Sequence, residues 1–250
     1  MPRSTPGPLI LVGGAEFGPG NEPHDGLWLE AAAGRPALVL ATAAVRQQPD
    51  RAVATARRWF ERLGGDIEEL PVRGRRDASS PAVVEAARGA GGFYLCGGDP
   101  GLVIQILAGT DVWEAIVDAW RRGAAVAGSS AGAMALGEWS LIRAGMSHDR
   151  RRFARALGLL PNVAVVPHLD EFGERWLPRL RRPTGATVLL GIDTRTAAVW
   201  RPRVGWRVTG PGRVAVIRGA ERQERRAAGR PTGIGRPTPA RPSIRRASPP

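Results

Sequence analysis

A chain of 250 residues with 43% hydrophobic side chains can bury one sizeable core, and its formal charge of +13 would suit nucleic acid or an anionic membrane. That suggestion is weakened because every basic residue is arginine, with no lysine, and residues 220–250 alone hold eight arginines against two glutamates. One cysteine, Cys96, excludes an internal disulfide, and no apolar run reaches the length of a membrane span. With no signal-peptide pattern after Met1, the expectation is a soluble cytoplasmic protein with no membrane partner. Nucleic acid is expected at most weakly, through the basic tail.

In chain order, 8–14 (PLILVGG) reads as a buried strand ending in glycines, 27–33 as a short helix and 36–41 as a second strand. Residues 52–63 follow a helical pattern stopped by Gly64 and Gly65. A weaker strand at 66–72 precedes a helix at 81–89, with Ser80 as N-cap and Pro81 at the first position. Residues 92–96 form a fourth strand closed by Gly97-Gly98-Asp99-Pro100, and helices follow at 100–108 and 111–122. Strands alternating with helices at this spacing imply βαβ units and a parallel sheet covered on both faces.

Residues 124–127 form a short apolar run that breaks into small residues before a helical pattern resumes through Ala133, Met134 and Leu136. Gly128 and Gly132 flank Ser130 in a G-x-S-x-G pattern, in which a serine sits on a strained strand-to-helix corner. The N–H groups and positive dipole end of the following helix face that corner and would stabilise an oxyanion. A plain small-residue turn gives the same short pattern, so the serine also needs a base. Beyond the elbow, 138–144 suits an edge strand, 146–152 (containing His148) a polar loop, 163–167 a buried strand ending near His168, and 169–180 a helix. Residue 187–193, 197–200, 204–209 and 213–218 read as late strands, the last three antiparallel. From 220 the chain is arginine, proline, glycine and serine, so the boundaries expected are a folded unit at 1–219 and a disordered tail at 220–250.

Loops at 97–100, 128–132 and 168–171 can meet at the carboxyl edge of a parallel sheet, where ligands bind in open α/β folds. Ser130 is the candidate nucleophile and His168 the candidate base, with backbone N–H groups of Gly98 or Asp99 and of Ala131 as an oxyanion hole. Glu16 and Asp193 are candidate substrate contacts at the same edge. Cys96 suits a buried core position, and no His/Cys/Asp cluster has metal-ligand spacing, so neither metal nor cofactor is expected.

GGAEF at 13–17, GGD at 97–99, AGSSAGAM at 127–134, VVPHLDEFGERW at 165–176 and GIDTRTA at 191–197 occur in this order, and together they resemble the S51 family of serine peptidases, which includes dipeptidase E and cyanophycinase. The resemblance covers roughly 8–218. It implies an α/β three-layer sandwich of flavodoxin-like, class I glutamine-amidotransferase type, with a mostly parallel sheet, helices on both faces and a small antiparallel C-terminal extension. It also implies Ser130 as nucleophile, His168 as base and the Gly98-Asp99 loop in the oxyanion region. The activity implied is hydrolysis of a peptide or isopeptide bond in a small peptide, aspartyl or β-aspartyl, with a homodimer left open.

Two positions depart from the family pattern. Pro100 stands where cyanophycinase-like members often carry glutamine, and Thr194 where they often carry glutamate. They motivate a rival reading, a catalytically silent small-ligand binding protein on the same fold. They also leave the third member of the triad open. Glu138, just past the elbow helix, ranks first, with no assigned carboxylate (a backbone carbonyl as acceptor) close behind and Asp193 next; Asp170 and Glu171 rank lower because neighbours in a turn seldom curl back onto the histidine.

Overall fold

The computed structural model describes residues 5–32, 34–143 and 151–238. Its strands divide into two sheets. The first contains β1 (Leu9–Val12), β2 (Ala37–Leu40), β3 (Glu68–Glu69), β4 (Gly92–Leu95) and β5 (Ala125–Ser129), all parallel, in the order β1-β5-β4-β2-β3. The late strands β10 (Ala197–Arg201) and β11 (Gly205–Thr209) add antiparallel at the β1 edge. The second sheet takes β6 (Gly137–Arg143), β7 (Arg151–Arg155), β8 (Leu160–Val166), β9 (Val188–Ile192), β12 (Arg213–Arg218) and β13 (Glu221–Arg226), in the order β13-β12-β9-β8-β6-β7. The α/β sandwich expected from the sequence is therefore present, with two mixed sheets in place of one mostly parallel sheet.

Alternation along each strand builds the layers. Leu9 and Leu11 of β1 enter one apolar cluster, Ile10 and Val12 another, as a period of two requires. On one face, α1 (Glu22–Ala32) and α2 (Pro49–Arg62) bring Trp28, Trp59 and Phe60 onto Ile10, Val39 and Tyr94. Phe17, Trp28, Phe60 and Tyr94 pack with ring centroids 4.9 to 6.0 Å apart, mostly in tilted or edge geometries worth about 0.5–1.5 kcal/mol a pair beyond area burial. On the other face lie α3 (Pro81–Gly89), α4 (Pro100–Leu107), α5 (Asp111–Arg121) and α6 (Ala131–Leu136). They share the largest cluster with Val163, Val165 and Leu190 of the second sheet. Ala164, Val166, Leu189 and Ala215 face away from it, toward Trp176, Leu177 and Leu180.

Helix ends follow local chemistry in most places. Gly64, at φ +84°, ends α2 with its N–H on the carbonyl of Glu61, and Thr110 caps α5 by accepting from the Trp113 N–H. Ser80 occupies the N-cap of α3 ahead of Pro81, yet its side chain makes no capping bond.

Four expectations need correction. Residues 151–155, read in part as a polar loop, form β7, because pairing with β6 overrides their polarity; His148 lies outside the described residues. Strand 66–72 shrinks to Glu68–Glu69. Residues 169–179 are not one helix but a π turn, a single α turn and a 3-10 turn, since Pro178 lacks the N–H that a continuous helix would need. The region after 220 contains β13, paired over its whole length with β12, and Ile234 is buried. Cross-strand pairing and arginine–glutamate contacts supply there what apolar side chains do not.

Candidate active site

Strands β1, β4 and β5 are parallel, so the loops leaving them emerge on one edge. The second sheet joins at the same edge through its own strand ends: the His168 N–H donates to the Gly13 carbonyl at 2.8 Å, and the Gly13 N–H to the Thr196 carbonyl at 2.9 Å. These two bonds bring the loop after β1, the loop after β8 and the loop after β9 together.

Ser130 sits at the corner between β5 and α6 with φ 48° and ψ −110°, a strained conformation for a residue with a Cβ. Its N–H donates to the Val12 carbonyl and its carbonyl accepts from the Met134 N–H, so both sides of the corner are held. The flanking glycines are required by contact. A Cβ at Gly132 would lie 2.2 Å from the Leu95 carbonyl oxygen, and one at Gly128 2.7 Å from the Gly132 backbone. Ser129 is fully buried and Ser130 is not, so the corner turns Ser130 toward the cleft.

His168 Nε2 lies 3.2 Å from Ser130 Oγ. The histidine adopts a left-handed backbone (φ 49°, ψ 45°), and its carbonyl gathers the N–H groups of Glu171, Phe172 and Gly173 in a tight π turn. Phe172 stacks on the imidazole at 4.8 Å between centroids. On the other ring nitrogen, Thr194 Oγ1 stands 3.4 Å from Nδ1, and Glu171 Oε2 is 3.2 Å away, an ion pair only when the ring is protonated. Asp170 Oδ1 accepts from both the Thr194 N–H at 2.8 Å and the Thr194 hydroxyl at 3.0 Å.

Of the N–H groups expected to face an oxyanion, those of Gly98 and Ala131 donate to no backbone carbonyl of a described residue. Asp99 is different. Its N–H donates to the Ala43 carbonyl at 2.9 Å, and its carboxylate caps α4 by accepting from the Gly101 N–H. That capping suits Pro100 at the first helical position and removes Asp99 from the oxyanion hole.

The carboxylates placed at the site from the sequence do other work. Glu138 bonds Arg155 and accepts from the Asn162 N–H, bracing β6 against its neighbours, so it does not reach His168. Asp193 is only 5% exposed; its Oδ2 accepts from the Arg213 N–H at 2.9 Å, which fixes the start of β12, so it does not face a substrate. Burial raises its carboxyl above the ordinary range, opposed by the Arg213 backbone bond. Glu16 is also occupied, accepting from the Gly97 N–H and from Ser129 Oγ, each at 2.7 Å. It ties the loops after β1, β4 and β5 to one another instead of presenting a free carboxylate. Cys96 is buried, which pushes its thiol well above its ordinary value and suits the core role expected of it.

Beside Gly98, Asp99 and Pro100 lies a cavity of about 290 Å³ that also takes Arg46, Arg143 and Arg151 in its lining. The guanidinium groups of Arg46 and Arg143 have no ion-pair or hydrogen-bond partner among the described residues. Arg151 lies over the Trp176 ring at 4.2 Å. Among the described residues, no three His, Cys, Asp or Glu side chains converge as metal ligands, and no helix is long and apolar enough to cross a membrane.

Several residues at this edge were not legible as parts of the site. Thr194 appeared in the sequence only as a departure from a pattern, and Gly14 only as part of a glycine pair. Their places beside the imidazole come from the junction of the two sheets, a long-range feature that no local spacing signals.

Comparison with known proteins agrees with this geometry. Residues 9–200 match the model of peptidase family S51. The chain is 30% identical over 229 residues to cyanophycinase from Nostoc sp. (strain PCC 7120), covering 86% of this chain and 75% of that protein. It is 26% identical over 220 residues to cyanophycinase from Synechococcus elongatus, covering 84% and 68%. Among solved structures, a peptidase from an acI-B1 Actinobacterium superposes with a TM-score of 0.78 at 30% identity, over 91% of this chain and 97% of that one. A putative peptidase E from Listeria monocytogenes EGD-e shares the fold, with a TM-score of 0.57 at 16% identity over 89% and 99%. A match across most of the chain, with the serine corner and the histidine inside it, is what membership requires: the chain belongs to peptidase family S51, as a serine-type peptidase.

Proposed function

We infer that Ser130 and His168 carry out acyl transfer on a small acidic peptide, cleaving a peptide or isopeptide bond. The observation that carries this reading is the 3.2 Å approach of His168 Nε2 to Ser130 Oγ at a strained corner. A serine hydroxyl is a poor nucleophile until a base takes its proton. In the proposed sequence Ser130 Oγ attacks the scissile carbonyl while His168 Nε2 accepts the hydroxyl proton. The N–H groups of Gly98 and Ala131 receive the oxyanion, aided by the positive end of α6. The imidazolium then returns its proton to the leaving amine, and water, deprotonated by the same nitrogen, releases the acid from Ser130.

The substrate class is inferred from the cavity beside Gly98. Two guanidinium groups with no partner among the described residues, Arg46 and Arg143, favour a ligand bearing a carboxylate, which an arginine binds through paired N–H donors. Similarity to cyanophycinases supports a peptide substrate, and the family resemblance implies an aspartyl residue on one side of the scissile bond.

A fluorophosphonate probe tests the serine. Wild type and Ser129→Ala gain one adduct, Ser130→Ala and His168→Ala none; an adduct retained by Ser130→Ala rejects the assignment. A panel of aspartyl, β-aspartyl and matching asparaginyl dipeptides then tests the substrate class, with turnover expected only for peptides bearing the free carboxylate.

A further inference from the structure

We propose that Thr194 and Asp170 together replace the missing triad carboxylate, as a hydroxyl relay that positions and polarises His168. The inference rests on Ser130 and His168 acting as proposed above, and concerns what lies behind the imidazole. For Nε2 to accept the Ser130 proton, the hydrogen of the neutral ring must sit on Nδ1, and something must accept it there. Thr194 Oγ1 is 3.4 Å from Nδ1. Its single hydroxyl hydrogen is directed at Asp170 Oδ1, 3.0 Å away, which leaves an oxygen lone pair for the ring. The Thr194 N–H donates to the same carboxylate oxygen at 2.8 Å, so one carboxylate holds both the backbone and the side chain of the threonine.

The chain of donors therefore runs Nδ1–H to Thr194 Oγ1, and Thr194 O–H to Asp170 Oδ1. No proton need leave any member: when the ring takes the serine proton, the Asp170 charge strengthens the Thr194 hydroxyl as an acceptor, and both bonds shorten in response. The distance of 3.4 Å fits a contact that tightens only as the imidazolium forms. Thr194 and Asp170 are positioning residues, since neither touches the serine.

Glu171 is the competitor. Its Oε2 lies 3.2 Å from Nδ1, but its side chain is 53% exposed and has no second anchor among the described residues, whereas Asp170 is fixed by two donors. A carboxylate held only by the ring it must orient cannot fix that ring.

The test uses the rate of fluorophosphonate labelling of full-length protein, alongside thermal unfolding and nitrogen NMR of the histidine rings. Thr194→Val should slow labelling by about 10²-fold, within the range general acid–base assistance supplies, without lowering the unfolding temperature enough to unfold the protein at assay temperature. Thr194→Ser should restore the rate, Glu171→Gln should react like wild type, and Asp170→Asn should add no further loss in the Thr194→Val background. NMR should show the Nδ1–H tautomer of His168 in wild type and a tautomer mixture in Thr194→Val. Should the valine variant fail to fold, Thr194→Glu provides the second arm: it sets a carboxylate directly at Nδ1, and Asp170→Asn should then have no effect. Labelling of Thr194→Val at the wild-type rate, or an equal loss in Glu171→Gln, overturns the relay while leaving the serine assignment intact. A wild type that does not label at all removes both.

Discussion

Gly14 lies directly beneath His168: a Cβ at Gly14 would fall 2.2 Å from both Nε2 and Cε1 of the imidazole, and the glycine has φ +121°. The ring can stand upright over Ser130 only because the residue under it has no side chain. This makes Gly14 part of the wall that sets the angle between the His168 imidazole and the Ser130 hydroxyl. It also sits between two residues of other functions, with the Gly13 carbonyl holding the His168 N–H and Glu16 holding the loops of β4 and β5.

Gly14→Ala should therefore displace the imidazole and lower the fluorophosphonate labelling rate by at least about 10²-fold, the loss expected from misplacing a catalytic group by an ångström. The protein should still fold, at reduced stability, because the added methyl strains only one loop. Labelling of this variant at the wild-type rate would mean that the ring finds room by another route and that Gly14 does not set its position.

Glu138→Gln separates the structural role found for Glu138 from the catalytic one its sequence position suggested. The carboxylate braces Arg155 and the Asn162 N–H. Stability should fall by about 1 kcal/mol, the net worth of a typical hydrogen bond, while labelling continues at the wild-type rate. A selective loss of labelling, with unfolding unchanged, would return Glu138 to the site.

How much of this was legible in the sequence follows from the range of the interactions involved. The elbow around Ser130 was readable because strand, glycines and helix lie within a dozen residues, and His168 because it ends a buried strand in a recurrent segment. Glu138 and Asp193 misled because sequence placed them near the correct edge but could not say that Arg155 and Arg213 would occupy them. Glu171 and Asp170 were set aside on the ground that turn neighbours seldom curl back, yet the π turn from Leu169 to Gly173 brings the former to the ring and the latter to Thr194. The division into two sheets was hidden for the same reason: local pattern identifies a strand but not its neighbours.

Glu16→Ala tests the tie between loops. It leaves the buried Ser129 hydroxyl and the Gly97 N–H without their acceptor, at a cost of about 1–3 kcal/mol for each group left unsatisfied. The unfolding temperature and the labelling rate should fall together, since Gly97 precedes the Gly98 N–H and Ser129 precedes Ser130. If labelling drops with no change in unfolding, Glu16 contacts the substrate after all.

Two buried neighbours on α1 give opposing pH dependences. Burial pushes Asp25 up from 3.8 to about 7, partly offset by the Trp59 indole N–H that it accepts at 2.7 Å. In the window between those values the folded state holds the proton more tightly than the unfolded state, so this group's contribution to stability is fully present below pH 4 and lost as pH rises through 7. Burial pushes His24 down from 6.5 to about 4, opposed by the nearby Glu22 charge. The neutral ring donates from Nε2 to Asn21 Oδ1 and accepts from Thr209 at Nδ1. Here the unfolded state binds the proton more tightly, so stability rises with pH from about 4 to 6.5. The two slopes cancel over most of that range in wild type. Asp25→Asn should uncover the His24 slope, with stability relative to wild type growing as pH rises toward 7, by at most about 1.4 kcal/mol per pH unit. Parallel curves for variant and wild type from pH 4 to 8 would show that Asp25 does not titrate in this window.

Composition alone suggests that the arginine-rich residues after 219 are dispensable. Strand β13 pairs with β12 along six residues of each strand. Farther on, the Gly235 carbonyl accepts from the Trp206 indole at 3.2 Å, the Thr238 N–H donates to the Leu159 carbonyl at 3.0 Å, and Ile234 is 9% exposed. Arginines of β12 and β13 also connect this end to the segment that follows His168. Arg222 Nη1 donates to Glu174 Oε2 at 2.9 Å, and Arg213 Nη2 to Glu174 Oε1 at 3.0 Å. Those bonds hold Glu174 below the usual carboxylate range, chiefly through Arg222. Glu174 immediately follows the π turn that His168 opens, so β13 braces the segment that presents the imidazole to Ser130. Partly exposed ion pairs of this kind contribute at most about 1 kcal/mol each; the ladder and the buried isoleucine contribute the larger share. Truncation after Gly219 should thus lower the unfolding temperature and slow Ser130 labelling. Arg222→Ala should cause a smaller decrease in both, diminished further by high salt in wild type. A truncated protein that unfolds and labels like the full chain would mean that β13 packs on the second sheet without supporting it, and that the π turn keeps His168 in place by its own hydrogen bonds.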